Sequence, residues 1–301
     1  MVKRKKSVKK KKSSSNFIEG IMIGIILVLG FFITKNIFLF DGKRTNSYQK
    51  PYYCEVNSCP YSAYSTEKIP APTAAPLVGY CLRVPILTYH HIQPQADAVS
   101  KKQTSLNVDN GTFDQQMSYL TSKGYTSIWA IDLINALKNH SQLPANPVMV
   151  TMDDGYADND VYGLSVLKKY NIKANLMLST GLVGSNPDML SWSQVQDMKN
   201  SGLYYFTNHT WSHYAITNGP QSKIDSEIDT AATQIKQYLG QDVNIFTYPY
   251  GAINDNAAQT LQRKGYVGGF STIPGQYQCD SFIMTLHRSH IGNAPLSAYG
   301  L

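Results

Sequence analysis

From Arg83 onward, short apolar stretches alternate with amphipathic ones in a regular order, and this alternation constrains the fold more than any other feature of the chain. The pattern predicts strands around 84–88, 126–128, 148–152, 174–178, 203–206, 245–248 and 268–271. Helices are predicted near 113–123, 131–138, 162–170, 192–201, 222–239 and 255–264. Strands separated by helices make a parallel sheet, because each helix carries the chain back across the sheet to start the next strand in the same direction. Seven or eight strand-like segments favour a closed or nearly closed (β/α) barrel over an open doubly wound sheet. No Gly-x-Gly-x-x-Gly follows a strand, which removes the usual reason to expect a dinucleotide site. In such barrels chemistry sits on loops at the carboxyl ends of strands. His90 follows Thr88, Asp153 follows Val150, His209 follows Phe206 and Tyr250 follows Tyr248, all at such ends.

The region before Arg83 reads differently. Lys3, Arg4, Lys5, Lys6, Lys9, Lys10, Lys11 and Lys12 concentrate the formal net charge of +7 in a basic tail, residues 1–16; the 27 basic residues less these eight leave 19 against 20 acidic. A nearly neutral remainder argues against a nucleic-acid surface. Residues 17–40 form an apolar segment with an uncharged centre, Ile21 to Ile33, which with its flanks reaches the roughly 20 residues a bilayer span needs. A cleaved signal peptide is the alternative, but no small-x-small site follows the apolar run. The expectation is a single-pass signal anchor in the cell membrane with everything after it extracellular, by the positive-inside rule. Residues 41–82, rich in Tyr, Ser, Pro and Ala, read as an extended stalk or linker, and 83–301 as the catalytic domain.

Four cysteines, Cys54, Cys59, Cys81 and Cys279, allow three disulfide connectivities. Cys54 with Cys59 and Cys81 with Cys279 is the expected set, since the second pair would tie the entry strand of the domain to its closing region. Their spacing lacks the paired C-x-x-C pattern of a zinc site.

Two motifs carry chemistry. Thr151-Met152-Asp153-Asp154-Gly155 supplies adjacent carboxylates at a strand end, and His209-Thr210-Trp211-Ser212-His213 supplies two imidazoles. Neighbouring side chains on a strand point to opposite faces, so both acids serve one site only where the chain bends, and Gly155 permits a bend. A carboxylate with two imidazoles leaves coordination positions open, as catalytic Zn²⁺ requires. A metal lowers the pKa of water to roughly 7, which gives a neighbouring carboxylate a realistic proton to remove. Either motif by itself is common: paired Asp in solvated turns, His at (i, i+4) spacing on exposed helices.

Together with Tyr248-Pro249-Tyr250-Gly251, these motifs resemble the polysaccharide deacetylases, the NodB-homology or carbohydrate esterase family 4 group, over roughly 83–292. The resemblance implies a distorted (β/α) barrel and metal-dependent removal of acetyl groups from N-acetylated sugars. It implies Asp153 as base, Asp154, His209 and His213 as ligands of a divalent metal with zinc the expected ion, and the backbone N–H of Tyr250 as an oxyanion donor. Trp211 and Pro249 are expected to contact the sugar.

Three departures from the common family pattern stand out. Thr247 occupies the place of an Arg that orients the base, no Asp-x-x-Asp-Trp segment follows, and the late Leu-x-His motif is ambiguous, with Leu286-His287 present but Arg288 also matching a variant of it. The departures resemble a subgroup, the poly-N-acetylglucosamine deacetylases, in which an early Tyr-His segment supplies the general acid. Tyr89-His90 fits, so His90 is the expected acid and His287 the alternative, while His91 reads as a neighbour only. The expected substrate is an N-acetylglucosamine-containing envelope polymer, peptidoglycan or an exopolysaccharide. An O-acetyl esterase on a xylan-like glycan, or a catalytically silent glycan-binding protein on the same scaffold, are the alternatives.

Overall fold

The computed structural model describes residues 76–301. Its strands are β1 (Cys81–Arg83), β2 (Ile86–Tyr89), β3 (His91–Ile92), β4 (Asn107–Val108), β5 (Thr126–Ser127), β6 (Pro147–Asp154), β7 (Ala174–Leu178), β8 (Tyr204–Asn208), β9 (Ile245–Thr247), β10 (Gly268–Phe270), β11 (Tyr277–Cys279) and β12 (Ser289–His290). The helices are α1 (Gln95–Lys101), α2 (Asn110–Ser122), α3 (Ala130–Asn139), α4 (Ser165–Tyr170), α5 (Trp192–Asn200), α6 (Gln221–Leu239) and α7 (Asp255–Arg263).

Seven parallel strands form one curled sheet in the order β10-β9-β8-β7-β6-β2-β12, and β5 pairs with the start of β6. The expected closed or nearly closed barrel of seven or eight strands is here a half-barrel of seven. β10 and β12 do not pair with each other; β10 instead forms a bridge, Phe270 with Leu286, to the segment that precedes β12. The segment after Leu286 then crosses from β10 to β2, bonding Ser271 N–H to Leu286 O at 2.8 Å on one side and Ile291 N–H to Thr88 O at 3.0 Å on the other.

The apolar pattern explains the layering. On β6, Val148, Val150 and Met152 point outward to Phe113, Met117 and Leu120 of α2, Leu167 of α4, and Val195 and Met198 of α5. Met149 points inward with Ile86, Met177 and Ile245 against Ala130, Leu133, Ile134 and Leu137 of α3. A parallel strand with helices on one side and an interior on the other is apolar throughout, which is why β6 reads as a continuous hydrophobic run. Ile86 and Ile245 open their strands, so α3 plugs the amino-terminal mouth of the sheet. A Cβ on Gly268 would run into the buried Ile134 side chain, so that close approach needs glycine. The fully buried Asn175 locks the plug, accepting from Ala130 N–H at 2.7 Å and donating to Val150 O at 3.2 Å. The carboxyl-terminal mouth is left to the loops.

Three differences from the expected elements are informative. The small sheets β1-β11 and β3-β4 are made of two- and three-residue strands with no local period. The helix expected near 162–170 begins as a π-helical turn, Asn159–Leu164, before α4. β1 also begins the paired structure at Cys81, inside the segment expected to be stalk, and pairs antiparallel with β11, with Cys81 opposite Cys279. These two cysteines form the expected disulfide across 198 residues; Cys54 and Cys59 lie outside the described residues. The expected single-pass membrane location is corrected: no helix among the described residues is long and apolar enough to cross a membrane, and the basic tail, residues 17–40 and most of the stalk lie outside them.

Closing a loop of this length removes much unfolded-state freedom, so replacing both Cys81 and Cys279 by Ala is expected to lower stability by about 2–5 kcal/mol. Urea midpoints of the two proteins measure it, and an unchanged midpoint would show that the bridge adds nothing to the β1-β11 pairing.

Candidate active site

β6 delivers two carboxylates to one place by breaking its own geometry. Thr151 and Asp153 lie on the inward face with Met149, and Asp154 would point outward if the strand continued. Instead Gly155 N–H bonds to Asp153 O at 2.9 Å, a γ-turn closed around Asp154, whose φ is +74°. The bend therefore starts one residue before the glycine that sequence singles out, and Gly155 itself follows at φ +96°.

Asp154 meets both histidines. Its Oδ1 lies 3.3 Å from His209 Nε2 and 3.2 Å from His213 Nε2, and one ligand atom from each residue falls within 4.8 Å of the others. Asp154 Oδ1 is buried and accepts no properly directed hydrogen bond. His209 Nδ1 is 2.8 Å from the Thr247 carbonyl, so it carries the proton and leaves the Nε2 lone pair aimed at Asp154. Lone pairs from a carboxylate and imidazoles converging on a buried point are the donor set a divalent cation requires. The three residues fit such an ion.

The His pair is not helical, although its spacing would suit a helix. Residues 209–213 form a loop in which Thr210 and His213 have φ of +65° and +58°. Tyr250, in the Pro249–Gly251 turn after β9, has φ +59°. Of the eight non-glycine residues with positive φ among those described, four (Asp154, Thr210, His213 and Tyr250) stand at this site. Each such residue costs about 1–3 kcal/mol and persists only where its surroundings hold it.

Asp153 faces a different partner. Arg288, 2% exposed, makes a two-pronged contact with it, Nη1 to Oδ1 at 2.7 Å and Nη2 to Oδ2 at 2.8 Å. Arg288 Nε donates to Ser271 O at 2.8 Å and Nη1 also reaches Thr151 Oγ1 at 3.3 Å. Thr247 is buried and too short for this role, and the guanidinium enters instead from the segment that links the sheet edges. Burial pushes the Asp153 carboxyl up, but Arg288 outweighs it and holds the group below the ordinary range. Asp154 is likewise held low against its burial by His213 and His209. Burial brings His213 down to about 4, against the opposing pull of Asp154.

His90 stands across the mouth, with Nε2 4.0 Å from Asp153 Oδ2 and its ring 5.7 Å from that of His290. Burial lowers its pKa despite both carboxylates. Asn159, at the start of the π-helical turn, donates to the His90 carbonyl at 2.7 Å. His91 turns away, bonding Asp158 at 2.6 Å and stacking on Tyr156. His287 also turns away: it is buried, stacked on Phe282 at 4.5 Å and packed beside Gly275. The chain thus aims His287 into the closing segment and its neighbour Arg288 into the site.

The rim is open. Trp211 is 40% exposed, its ring over Gly181, where a Cβ would lie 2.7 Å away. Tyr250 is 64% exposed, with its ring 4.3 Å from that of His213. Pro249 is buried, so it shapes the turn, and Tyr250 offers the surface a ligand can touch. Residues that sequence reasoning did not assign are Asn159 and Glu227, the latter beneath the His loop.

The depressed Asp153 pKa gives a pH signature. A carboxyl that titrates below its unfolded value, about 3.9, contributes stability fully present above that value and lost as pH falls through the folded one. Arg288→Met leaves the buried carboxylate unpaired and is expected to cost about 3–5 kcal/mol at about pH 7. Without Arg288 the burial of Asp153 is no longer outweighed and raises its pKa, so the variant takes up a proton there as pH falls while the parent stays ionised, and the deficit should shrink toward about pH 4, read from denaturant midpoints at the two pH values. A deficit independent of pH would mean that Arg288 acts through packing alone.

Comparison with known proteins agrees with this geometry. The family model described as polysaccharide deacetylase matches residues 140–269, which hold both Asp, both His and the Pro249–Gly251 turn. The chain is 30% identical over 207 residues to the poly-β-1,6-N-acetyl-D-glucosamine N-deacetylase of Staphylococcus epidermidis, covering 62% of this chain and 71% of that one. The structure of the Streptococcus pyogenes deacetylase PplD in complex with acetate matches with a TM-score of 0.65 at 27% identity, covering 70% of this chain and 92% of that one. IcaB from Ammonifex degensii shares the fold, with a TM-score of 0.62 at 23% identity over 72% of this chain and 94% of that one. By its half-barrel, its two motifs in order and this relationship, the chain belongs to the polysaccharide deacetylase family.

Proposed function

We propose that this chain hydrolyses N-acetyl groups from an N-acetylglucosamine-containing polysaccharide in a metal-dependent reaction, with zinc as the cation. The observation that carries the reading is the division of labour between adjacent carboxylates: Asp154 shares a convergent point with His209 and His213, while Asp153 beside it is held ionised by Arg288. The Staphylococcus epidermidis relative, named for this activity on poly-β-1,6-N-acetyl-D-glucosamine, supports the substrate class.

When bound by Asp154, His209 and His213, a divalent cation supplies Lewis acidity, lowering the proton affinity of a water and drawing charge from the acetyl carbonyl. Asp153 takes the proton from that water, its carboxylate fixed in direction by Arg288. The backbone N–H of Tyr250, in the turn beside His213, helps to hold the negative charge that forms on the carbonyl oxygen, a contribution of about 3 kcal/mol for one donor. His90, across the mouth from the cation ligands, protonates the departing amine. Trp211 offers an exposed aromatic face to a sugar ring, and the open rim suits a chain-like substrate.

Acetate release by the purified protein from poly-β-1,6-N-acetylglucosamine, chitooligosaccharides, peptidoglycan and acetylated xylan, with chelator and with metal returned, tests the reading. Release from an N-acetylated glycan, abolished by chelator and restored by metal, is the expected result. Release from xylan alone would make the protein an esterase, and release unaffected by chelation would remove the metal from the reaction.

The roles separate by substitution. Asp153→Asn should lose turnover by about 10²–10⁴-fold while still binding metal, and His209→Ala should lose both. His90→Ala should fall by a similar factor where His287→Ala, stacked away from the site, leaves turnover within about twofold; the reverse order would assign the acid to His287.

A further inference from the structure

The two imidazoles of the metal set are held by different means. His209 sits at the end of β8 with its Nδ1 fixed by the Thr247 carbonyl. No hydrogen bond to His213 Nδ1 stands among the described residues; its ring packs against Tyr250 at 4.3 Å, and its backbone holds a φ of +58°. The first half of the loop is tied to the segment after β7 by Thr180 N–H to Thr210 O at 3.3 Å and Gly181 N–H to Trp211 O at 2.6 Å, and Tyr214 N–H bonds back to Thr210 Oγ1 at 2.8 Å, while the residue next to His213 is held by Glu227. Ser212, immediately before His213, donates its N–H to Glu227 Oε2 at 2.7 Å and its hydroxyl to Glu227 Oε1 at 2.6 Å. Trp211 N–H bonds to the backbone carbonyl of the same Glu227 at 3.0 Å. Glu227 lies in α6, with its side chain fully buried, and is neutralised by Lys223 at 2.6 Å one turn earlier.

We infer that Glu227 is a positioning residue for the cation, its carboxylate clamping Ser212 so that His213 keeps its imidazole 3.2 Å from Asp154. This rests on the reading of Asp154, His209 and His213 as metal ligands. A buried carboxylate engaged by two donors of one residue is a directional anchor, and groups that orient metal ligands typically change affinity by about 10–100-fold when removed. Lys223 supplies the counter-charge and lies over the Trp211 and Tyr214 rings at 5.8 and 5.5 Å, whereas the hydrogen bonds to Ser212 come from Glu227, so charge balance and loop clamping are separable.

Co²⁺ titration of the metal-free full chain, with the visible absorption of the bound ion recorded, tests this. Glu227→Ala, folded by circular dichroism, should bind Co²⁺ about 10–100-fold more weakly, with a changed spectrum because one imidazole has left its place. Glu227→Gln, whose amide can still engage both Ser212 groups, should recover most of the affinity, and Lys223→Met should stay within about threefold of the parent. Wild-type affinity and spectrum in Glu227→Ala, or an equal loss in Lys223→Met, would overturn the clamp. If Glu227→Ala does not fold, Ser212→Ala carries the test: a several-fold weaker Kd is expected and an unchanged one overturns the proposal. Failure of the parent chain itself to bind Co²⁺ would instead overturn the metal reading.

Discussion

Two adjacent aspartates on one strand meet different partners at one place, Arg288 and the His pair, although a β-strand by its nature sends neighbours to opposite faces. The γ-turn at Asp154 is the solution, and the rest of the site is arranged around it. It lets Asp153 keep the inward direction of the strand, where Arg288 meets it, and swings Asp154 toward the His loop. Glycine could adopt this conformation freely but would bring no carboxylate to the His pair, so the strain falls on Asp154. The same trade recurs at Thr210, His213 and Tyr250.

Strain of this kind needs a rigid frame, and the frame is built from buried polar groups rather than from the apolar core alone. Asn175 ties α3 to the sheet, Arg288 ties the closing segment to β6, and Glu227 ties α6 to the His loop. Each is buried and satisfied on several sides, which is the condition under which a polar group inside a protein stabilises one arrangement over its neighbours. Asn175 and Arg288 join segments 45 and 135 residues apart, and Glu227 reaches Ser212 across 15.

The half-barrel itself follows from the closing segment. A complete ladder between β10 and β12 would occupy the interior edge with backbone hydrogen bonds. With one bridge at Leu286, the chain is free to turn Arg288 inward two residues later. Incomplete closure and the placement of the guanidinium belong to the same segment.

Much of this is legible in the sequence. The alternation of apolar and amphipathic segments located the strands and helices of the main sheet, because burial on both faces leaves a continuous apolar run in β6 and β7 that needs no tertiary information to read. The Asp pair, the His pair and the Cys81–Cys279 bridge were named from the sequence, since chemistry requires those residue types. Tertiary structure decided the rest. That Arg288 meets Asp153 from 135 residues away, that His287 stacks on Phe282, that residues 209–213 are a strained loop and not a helix, and that Glu227 fastens that loop all depend on how the folded segments pack. Residue type is a local property and can be read from the sequence, whereas the direction in which a side chain points at a strand end is set by whatever packs against it.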